Sequence, residues 1–243
     1  MTEVSPPAHE LPEVGTVVGE ALLRVRRVLT DARELGLLGP SLLDDQIGHS
    51  LAFVDVIGAG AARNGIDPTL PAVSVLDLGS GGGVPGLLIA IALPSARVTL
   101  LDGSTRRADW LMLAVADLEL GDRVRVVCER AEAFGRQDGA RGDFDVVTSR
   151  SFGPPAVVVE CAAPLLRVGG RLIASEPPNF ESASDRPSAL GDRWPDEGIA
   201  QFGFAPAIGS SARGRRFAAM RLITAAPENY PRRGGIPQKR PRF

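Results

Sequence analysis

The run Asp77-Leu78-Gly79-Ser80-Gly81-Gly82-Gly83-Val84-Pro85-Gly86 has the residue types and spacing to hold a nucleotide. It stands between a strand-like segment and an apolar helical one. Its glycines permit a sharp turn and let a ligand lie against bare backbone, at a helix N-terminus whose N–H groups favour negative or polar atoms. Asp102 ends the next strand-like run, about 20 residues on, where a carboxylate can accept both hydroxyls of a ribose. Alone, the loop could be a tight turn and Asp102 a helix cap. Their joint spacing points to a nucleotide cleft.

Gly81, Gly83 and Gly86 satisfy the G-x-G-x-x-G pattern of NAD-binding folds, so the glycines by themselves do not choose the cofactor. Asp77 does. At the strand end it would oppose a dinucleotide's pyrophosphate, whereas it suits the ammonium of the methionine part of S-adenosylmethionine (AdoMet). Asp102 serves either ligand. A nicotinamide-dependent oxidoreductase is the competing reading, and the lack of a substrate domain counts against it.

Other chemistries lack their residues. Cys128 and Cys161 fall in apolar stretches far apart, and His9 and His49 are the only histidines, which gives neither a disulfide framework nor a metal site. Both cysteines read as core residues, Cys128 in a strand and Cys161 in a helix. Arg150 follows a strand's C-terminal edge, where open α/β sheets bind ligands, and its fork could take a carboxylate or phosphate. Arg106 and Arg107 fall in a predicted helix's first turn, where the dipole disfavours cations. His49, on a largely apolar helix, reads as packed rather than catalytic.

The elements that must position these groups can be outlined from periodicity. Residues 1–14 are rich in Pro and Glu and read as disordered. A helical extension over 15–70 holds an amphipathic helix, with apolar residues at Val17, Val18, Ala21, Leu22, Val25, Val28, Leu29 and Ala32, and a second helix from about Ser41 to Ala62. From 71 to 226, strand-like runs at Val73–Asp77, Arg97–Asp102, Val124–Cys128, Phe144–Thr148 and Arg171–Ala174 alternate with helical stretches, which implies βαβ units and a parallel sheet. Phe204–Ile208 and Phe217–Thr224 read as a terminal hairpin joined through Gly209–Arg216, adding an antiparallel strand. Residues 177–195 form a loop dense in Pro, Ser and Asp, and 227–243 a basic irregular tail.

The formal net charge of −2 hides an asymmetry: residues 212–243 carry nine Arg or Lys against Glu228 alone. Only this end is suited to a polyanion. The opening stretch has no basic n-region or apolar h-region, and no run is long and apolar enough to cross a membrane. A cytoplasmic protein without membrane contact is expected.

With the loop, Leu100-Leu101-Asp102, Arg130-Ala131-Glu132, Phe144-Asp145-Val146-Val147 and Ser149-Arg150 in order, the chain resembles the RsmG (GidB) family of 16S ribosomal RNA guanine-N7 methyltransferases. The ending Gly83-Val84-Pro85-Gly86 and the tail Tyr230–Pro241 are its most specific elements. The resemblance implies a class I AdoMet-dependent methyltransferase fold, Rossmann-like, with a mostly parallel seven-stranded sheet. It implies AdoMet as cofactor and 16S rRNA or the small ribosomal subunit as partner. Gly79 and Val84 would contact AdoMet, Ala131 and Glu132 would line its adenine, and Arg150 would reach toward cofactor and substrate; Asp77, Gly81, Gly83 and Asp102 complete the expected cofactor site. The family's Arg-His-x-x-Asp-Ser appears only as Gly48-His49-Ser50-Leu51-Ala52-Phe53, and its Lys-Gly after the fifth strand is Ser175-Glu176. These departures face the RNA side, where Ser175 in place of Lys, next to Glu176, would remove positive charge. They leave open a diverged paralogue acting on another RNA or a small molecule, or a non-catalytic AdoMet-binding ribosome or RNA module.

N7 methylation fits the missing base. Guanine N7 carries a free lone pair, so no proton need be removed and the work is alignment. Cytosine C5 chemistry would need a loop cysteine, and amine chemistry an (Asn/Asp)-Pro-Pro-aromatic turn after the fourth strand, where Ser149-Arg150-Ser151-Phe152 stands instead.

Overall fold

The computed structural model describes residues 14–63, 73–177 and 188–243. Two helices, α1 (Val14–Glu34) and α2 (Leu43–Arg63), lead into an alternation of β1 (Ser74–Leu78), α3 (Gly86–Ala92), β2 (Arg97–Asp102), α4 (Thr105–Asp117), β3 (Val124–Cys128), α5 (Ala131–Phe134), β4 (Phe144–Ser149), α6 (Pro155–Ala162) and β5 (Leu166–Ser175). There follow α7 (Ser188–Arg193), α8 (Asp196–Ala200), β6 (Ile208–Ala212), β7 (Arg215–Arg221) and α9 (Ile236–Lys239).

The strands form one sheet in the order β3-β2-β1-β4-β5-β7-β6. The first five are parallel, and β7 pairs antiparallel with β5 and with β6. The chain reverses direction across the sheet between β1 and β4, which makes the C-terminal ends of those strands the place for a ligand. The antiparallel β7 between β5 and β6 departs from the 3-2-1-4-5-6 order of dinucleotide-binding sheets and counts against the oxidoreductase reading.

Period-two patterning divides the core between the two faces. Leu76, Leu78, Val147, Leu172 and Ala174 bury against α5, α6, Trp194, Phe202 and Tyr230. Val75, Val98, Leu100, Val146 and Ile173 bury against α1 to α4. In α1, Val25, Val28, Leu29 and Ala32 are buried as the periodicity predicts; the side chains of Val17, Val18, Ala21 and Leu22 lie outside the described residues, as does nearly all of the opening stretch. Full burial of such a Val or Leu contributes about 1.5–3 kcal/mol, which holds the extension onto α3 and α4.

Several local expectations change. Ser188–Arg193, within the loop expected over 177–195, form α7, residues 178–187 of it lie outside the described residues, and Ile236–Lys239 of the expected irregular tail form α9. The hairpin turn is not the eight-residue segment expected but Arg213-Gly214, both at positive φ, as a two-residue turn requires; Gly209–Ala212 instead continue the edge strand β6. Phe204 makes only an isolated bridge to Leu222. Strand β5 starts at Leu166 because Leu166 pairs with Phe144 across an irregularity in the ladder. Cys128, expected in the core, is exposed because β3 is the sheet's outer strand. Among the described residues no helix is long and apolar enough to cross a membrane.

The tail is docked rather than free. Arg232 donates through its backbone N–H (2.9 Å), Nε (2.8 Å) and Nη2 (2.6 Å) to the fully buried Glu160 of α6. Arg141 donates to the carbonyls of Ala226, Pro227 and Tyr230, and Arg136 to that of Pro231. Arg213 and Arg215, from the same basic segment, pair with Asp55 and Asp45 of α2. Those three arginines are committed within the fold rather than left for a polyanion.

Candidate functional site

The loop after β1 is held by two carboxylates that face opposite ways. Asp77, 1% exposed, accepts from Gly86 N at 3.0 Å and from the Thr148 hydroxyl at 3.0 Å. A Cβ on Gly86 would lie 2.7 Å from Asp77 Oδ2 and 2.3 Å from Leu100, so only glycine permits this approach. Burial raises the Asp77 pKa to about 6, against the lowering pull of Thr148, Gly86, Ser80 and Arg150. Asp102, 5% exposed, accepts from Gly81 N and from Ser104 N, each at 2.9 Å. A carboxylate has roughly four lone-pair sites, so Asp102 retains acceptor capacity on the side of the cavity it lines.

That cavity, of about 240 Å³, is walled by Gly79, Asp102, Arg107, Ala131, Glu132 and Gln238 among others. Gly79 has φ +75 and lies so close to the Phe152 ring that a Cβ there would come within 2.6 Å of it. Arg107 Nη1 stands 3.7 Å from Asp102 Oδ2, while Arg106 reaches the Leu35 carbonyl, which supplies the negative partner its helix end calls for. Glu132 is 1% exposed: burial pushes its pKa up, but Arg130 Nη2 at 2.8 Å and Gly235 N at 2.9 Å outweigh this and hold it below the ordinary carboxylate range. The tail thus forms part of the cavity wall through Gln238 and braces Glu132 through Gly235, contributions that local sequence patterns did not signal.

Of the expected cofactor residues, Gly79, Asp102, Ala131 and Glu132 line this cavity together. Asp77, Gly81, Gly83 and Val84 lie behind it, shaping the loop; Val84 is 8% exposed and packs in the core beside α3. Bare backbone at Gly79 and spare acceptor capacity on Asp102, in one cavity with Ala131 and Glu132, fit the adenosine part of AdoMet.

Arg150 lies elsewhere. It lines a second, larger cavity of about 670 Å³ with His49, Arg193, Arg215, Arg216 and Glu176; Ser151 and Phe152 border both cavities. Burial lowers the Arg150 pKa, Asp77 opposes this, and Arg215 adds to it. His49 stacks on Phe53 at 5.7 Å and meets Phe217 edge-on. Burial, then Arg150 and Arg215, bring its pKa to about 4, so it is neutral at pH 7. Glu176 does not make the cavity acidic: its Oε1 accepts from Trp194 Nε1 at 2.6 Å, and Arg193 Nε lies 2.8 Å from its Oε2, an ion pair whose N–H is not aligned as a hydrogen bond. Arg193 neutralises Glu176, while Ser175 still stands where the resemblance would place a Lys. Neither cysteine lines either cavity, and among the described residues no group of His, Cys, Asp or Glu could hold a metal.

Residues 42–177 match the family model described as GidB, rRNA small subunit methyltransferase G. Ribosomal RNA small subunit methyltransferase G of Rubrobacter xylanophilus is 36% identical over 179 residues, covering 72% of this chain and 67% of that protein. The protein of the same name from Thermotoga neapolitana is 38% identical over 168 residues, covering 69% and 71%. In fold, the chain is similar to the O-methyltransferase from Bacillus cereus in complex with SAH, with TM-score 0.56 and 18% identity over 83% of this chain and 91% of that one. The chain belongs to the rRNA small subunit methyltransferase G (GidB) family and is an AdoMet-dependent methyltransferase with the class I fold.

Proposed function

We propose that the protein methylates N7 of a guanine in 16S rRNA of the small ribosomal subunit, in the cytoplasm. The observation that carries this is the junction at Ser151 and Phe152, where a nucleoside-sized cavity holding Asp102 meets a larger cavity edged with Arg150, Arg193 and Arg215. AdoMet, when bound, supplies an electrophilic methyl group on a sulfonium.

The chain's own residues orient the partners and exclude water. Asp102 accepts the ribose hydroxyls, Gly79 offers backbone, and Ala131 and Glu132 flank the adenine. Asp77, Gly81, Gly83 and Val84 keep the loop in shape. The larger cavity, which Arg150 lines, receives RNA. N7 attacks through a lone pair already free, so cavities lined by neither cysteine and the neutrality of His49 suit a reaction governed by alignment.

Purified protein, labelled AdoMet and small subunits from cells lacking the gene provide the test, read by nucleoside mass spectrometry. The expected product is one 7-methylguanosine in 16S rRNA; an unchanged nucleoside profile refutes the assignment. A second reading, a paralogue acting on another acceptor, is favoured by Ser175 and Glu176 in the cavity wall, where the resemblance would place Lys-Gly. It would show as label in a metabolite extract or another RNA instead.

A further inference from the structure

The C-terminal tail packs against α5 and the turn after it, and several contacts fix it there. Arg136 Nε donates to Pro231 O at 2.8 Å, and Arg141 Nη1 donates to Tyr230 O at 2.8 Å. Pro231 lies so near Gly135 that a Cβ there would come within 3.2 Å of its Cγ. Gly235 N then reaches Glu132 Oε1 at 2.9 Å, and three residues on, in α9, Gln238 joins the wall of the cavity that holds Asp102. The tail therefore meets this cavity on the side of Glu132.

The charged side chains around the cavity each offer one kind of hydrogen bond. Asp102, Glu129 and Glu132 accept as carboxylates, while Arg107 and Arg130 donate. Glu132 Oε1 already takes Arg130 Nη2 and Gly235 N, and Glu129 Oε2 takes Gln137 Nε2 at 2.7 Å. Ser151 has a hydroxyl but borders the larger cavity as well. Gln238 brings a carboxamide, with a donor and an acceptor side by side, and among the described residues no hydrogen bond engages it. Adenine presents the complement: its 6-amino group donates and the ring nitrogen beside it accepts, a pair that one Gln side chain takes together.

We propose that Gln238 is a specificity-determining residue for the cofactor: its carboxamide oxygen accepts from the 6-amino group of adenine, and its N–H donates to an adjacent ring nitrogen. The tail is then part of the AdoMet site rather than a brace behind it. This rests on the smaller cavity being the adenosine site.

The test is calorimetry on the full chain with two ligands, S-adenosylhomocysteine and its analogue whose base is purine, which lacks the 6-amino group. Wild type is compared with Gln238→Met and with Asp102→Ala. In Q238M the affinity for S-adenosylhomocysteine should fall about tenfold, and that for the purine analogue about twofold, because the bond to the amino group is already missing there. The preference for adenine over purine thus falls about fivefold, one neutral hydrogen bond's worth. Q238A should give the same pattern. Gln238 is exposed, so urea unfolding of the variants should match wild type. D102A should weaken both ligands alike, since both carry the same ribose.

An equal loss on both ligands in Q238M, or a loss on neither, overturns the proposal. A D102A protein that binds both ligands as wild type does would show that the cavity is not the adenosine site, and the assignment of Gln238 would fall with it.

Discussion

Replacing Asp77 by Asn should stabilise the protein while weakening its cofactor site. The folded-state pKa of Asp77 is raised from 3.8 to about 6 by burial. A proton is therefore held more tightly in the folded than in the unfolded state, so the group's contribution to stability is fully present below about pH 3.8 and is lost as pH rises through 6. At 1.36 kcal/mol per unit, the ionised carboxylate costs about 3 kcal/mol at pH 7.5.

Asn can keep the geometry. Its Oδ1 can accept from Gly86 N, and its Nδ2 can donate to Thr148 Oγ1, which has Leu76 O at 3.5 Å as an alternative acceptor for its own proton. Urea unfolding of both proteins from pH 4.5 to 7.5 isolates the term, since the other carboxylates cancel in the difference. D77N should be more stable by up to about 3 kcal/mol at pH 7.5, with the gap closing toward pH 4.5. Calorimetry should show weaker AdoMet binding, because a negative charge behind the loop that cradles a cationic ligand has been removed. A gap independent of pH, or a D77N protein less stable throughout, would refute the argument that the ion is kept at a stability cost for the ligand.

Asp102→Ala should lower AdoMet affinity by roughly 10²- to 10⁴-fold, from two lost hydrogen bonds to a charged acceptor at about 1.5–3 kcal/mol each; undiminished affinity by calorimetry would contradict the ribose assignment. Arg232→Ala leaves Glu160 buried without its cation and should cost about 3–5 kcal/mol in denaturant unfolding, with earlier proteolysis of residues 227–243. In the folded protein a thiol reagent should modify Cys128 rapidly and spare Cys161, whose thiol is buried and pushed up by burial and by Glu132 and Glu160. Modification of both at one rate would contradict the packing.

Local pattern carried most of the sheet. Arg97–Asp102 and Val124–Cys128 were legible residue for residue because parallel strands in βαβ units repeat a short β-branched or apolar run between turns. Position within the sheet was not legible, and so the exposure of Cys128 on the outer strand was missed. The hairpin turn was misplaced for a related reason: Gly209-Ser210-Ser211 resembles a loop until Arg216 and Phe217 are there to pair with it. Asp102, Gly79, Ala131 and Glu132 could be gathered from spacing and resemblance. Gln238 could not, since its place in the wall depends on Gly235 bonding a carboxylate 103 residues back, nor could Arg232, whose acid is 72 residues back.

The links from Glu132 to Gly235 and from Glu160 to Arg232 also set an order of completion during synthesis. A growing polypeptide that has emerged through β5 already contains both acids, yet each awaits a donor from the last segment to be translated. Until that segment emerges, the nascent domain carries one buried acid without its cation, Glu160, and an unfinished wall around Glu132, and its collapse to a cooperative native state waits on the final stretch. Chaperone occupancy of stalled chains should accordingly persist past β7 and fall only once Gly235 is free to dock.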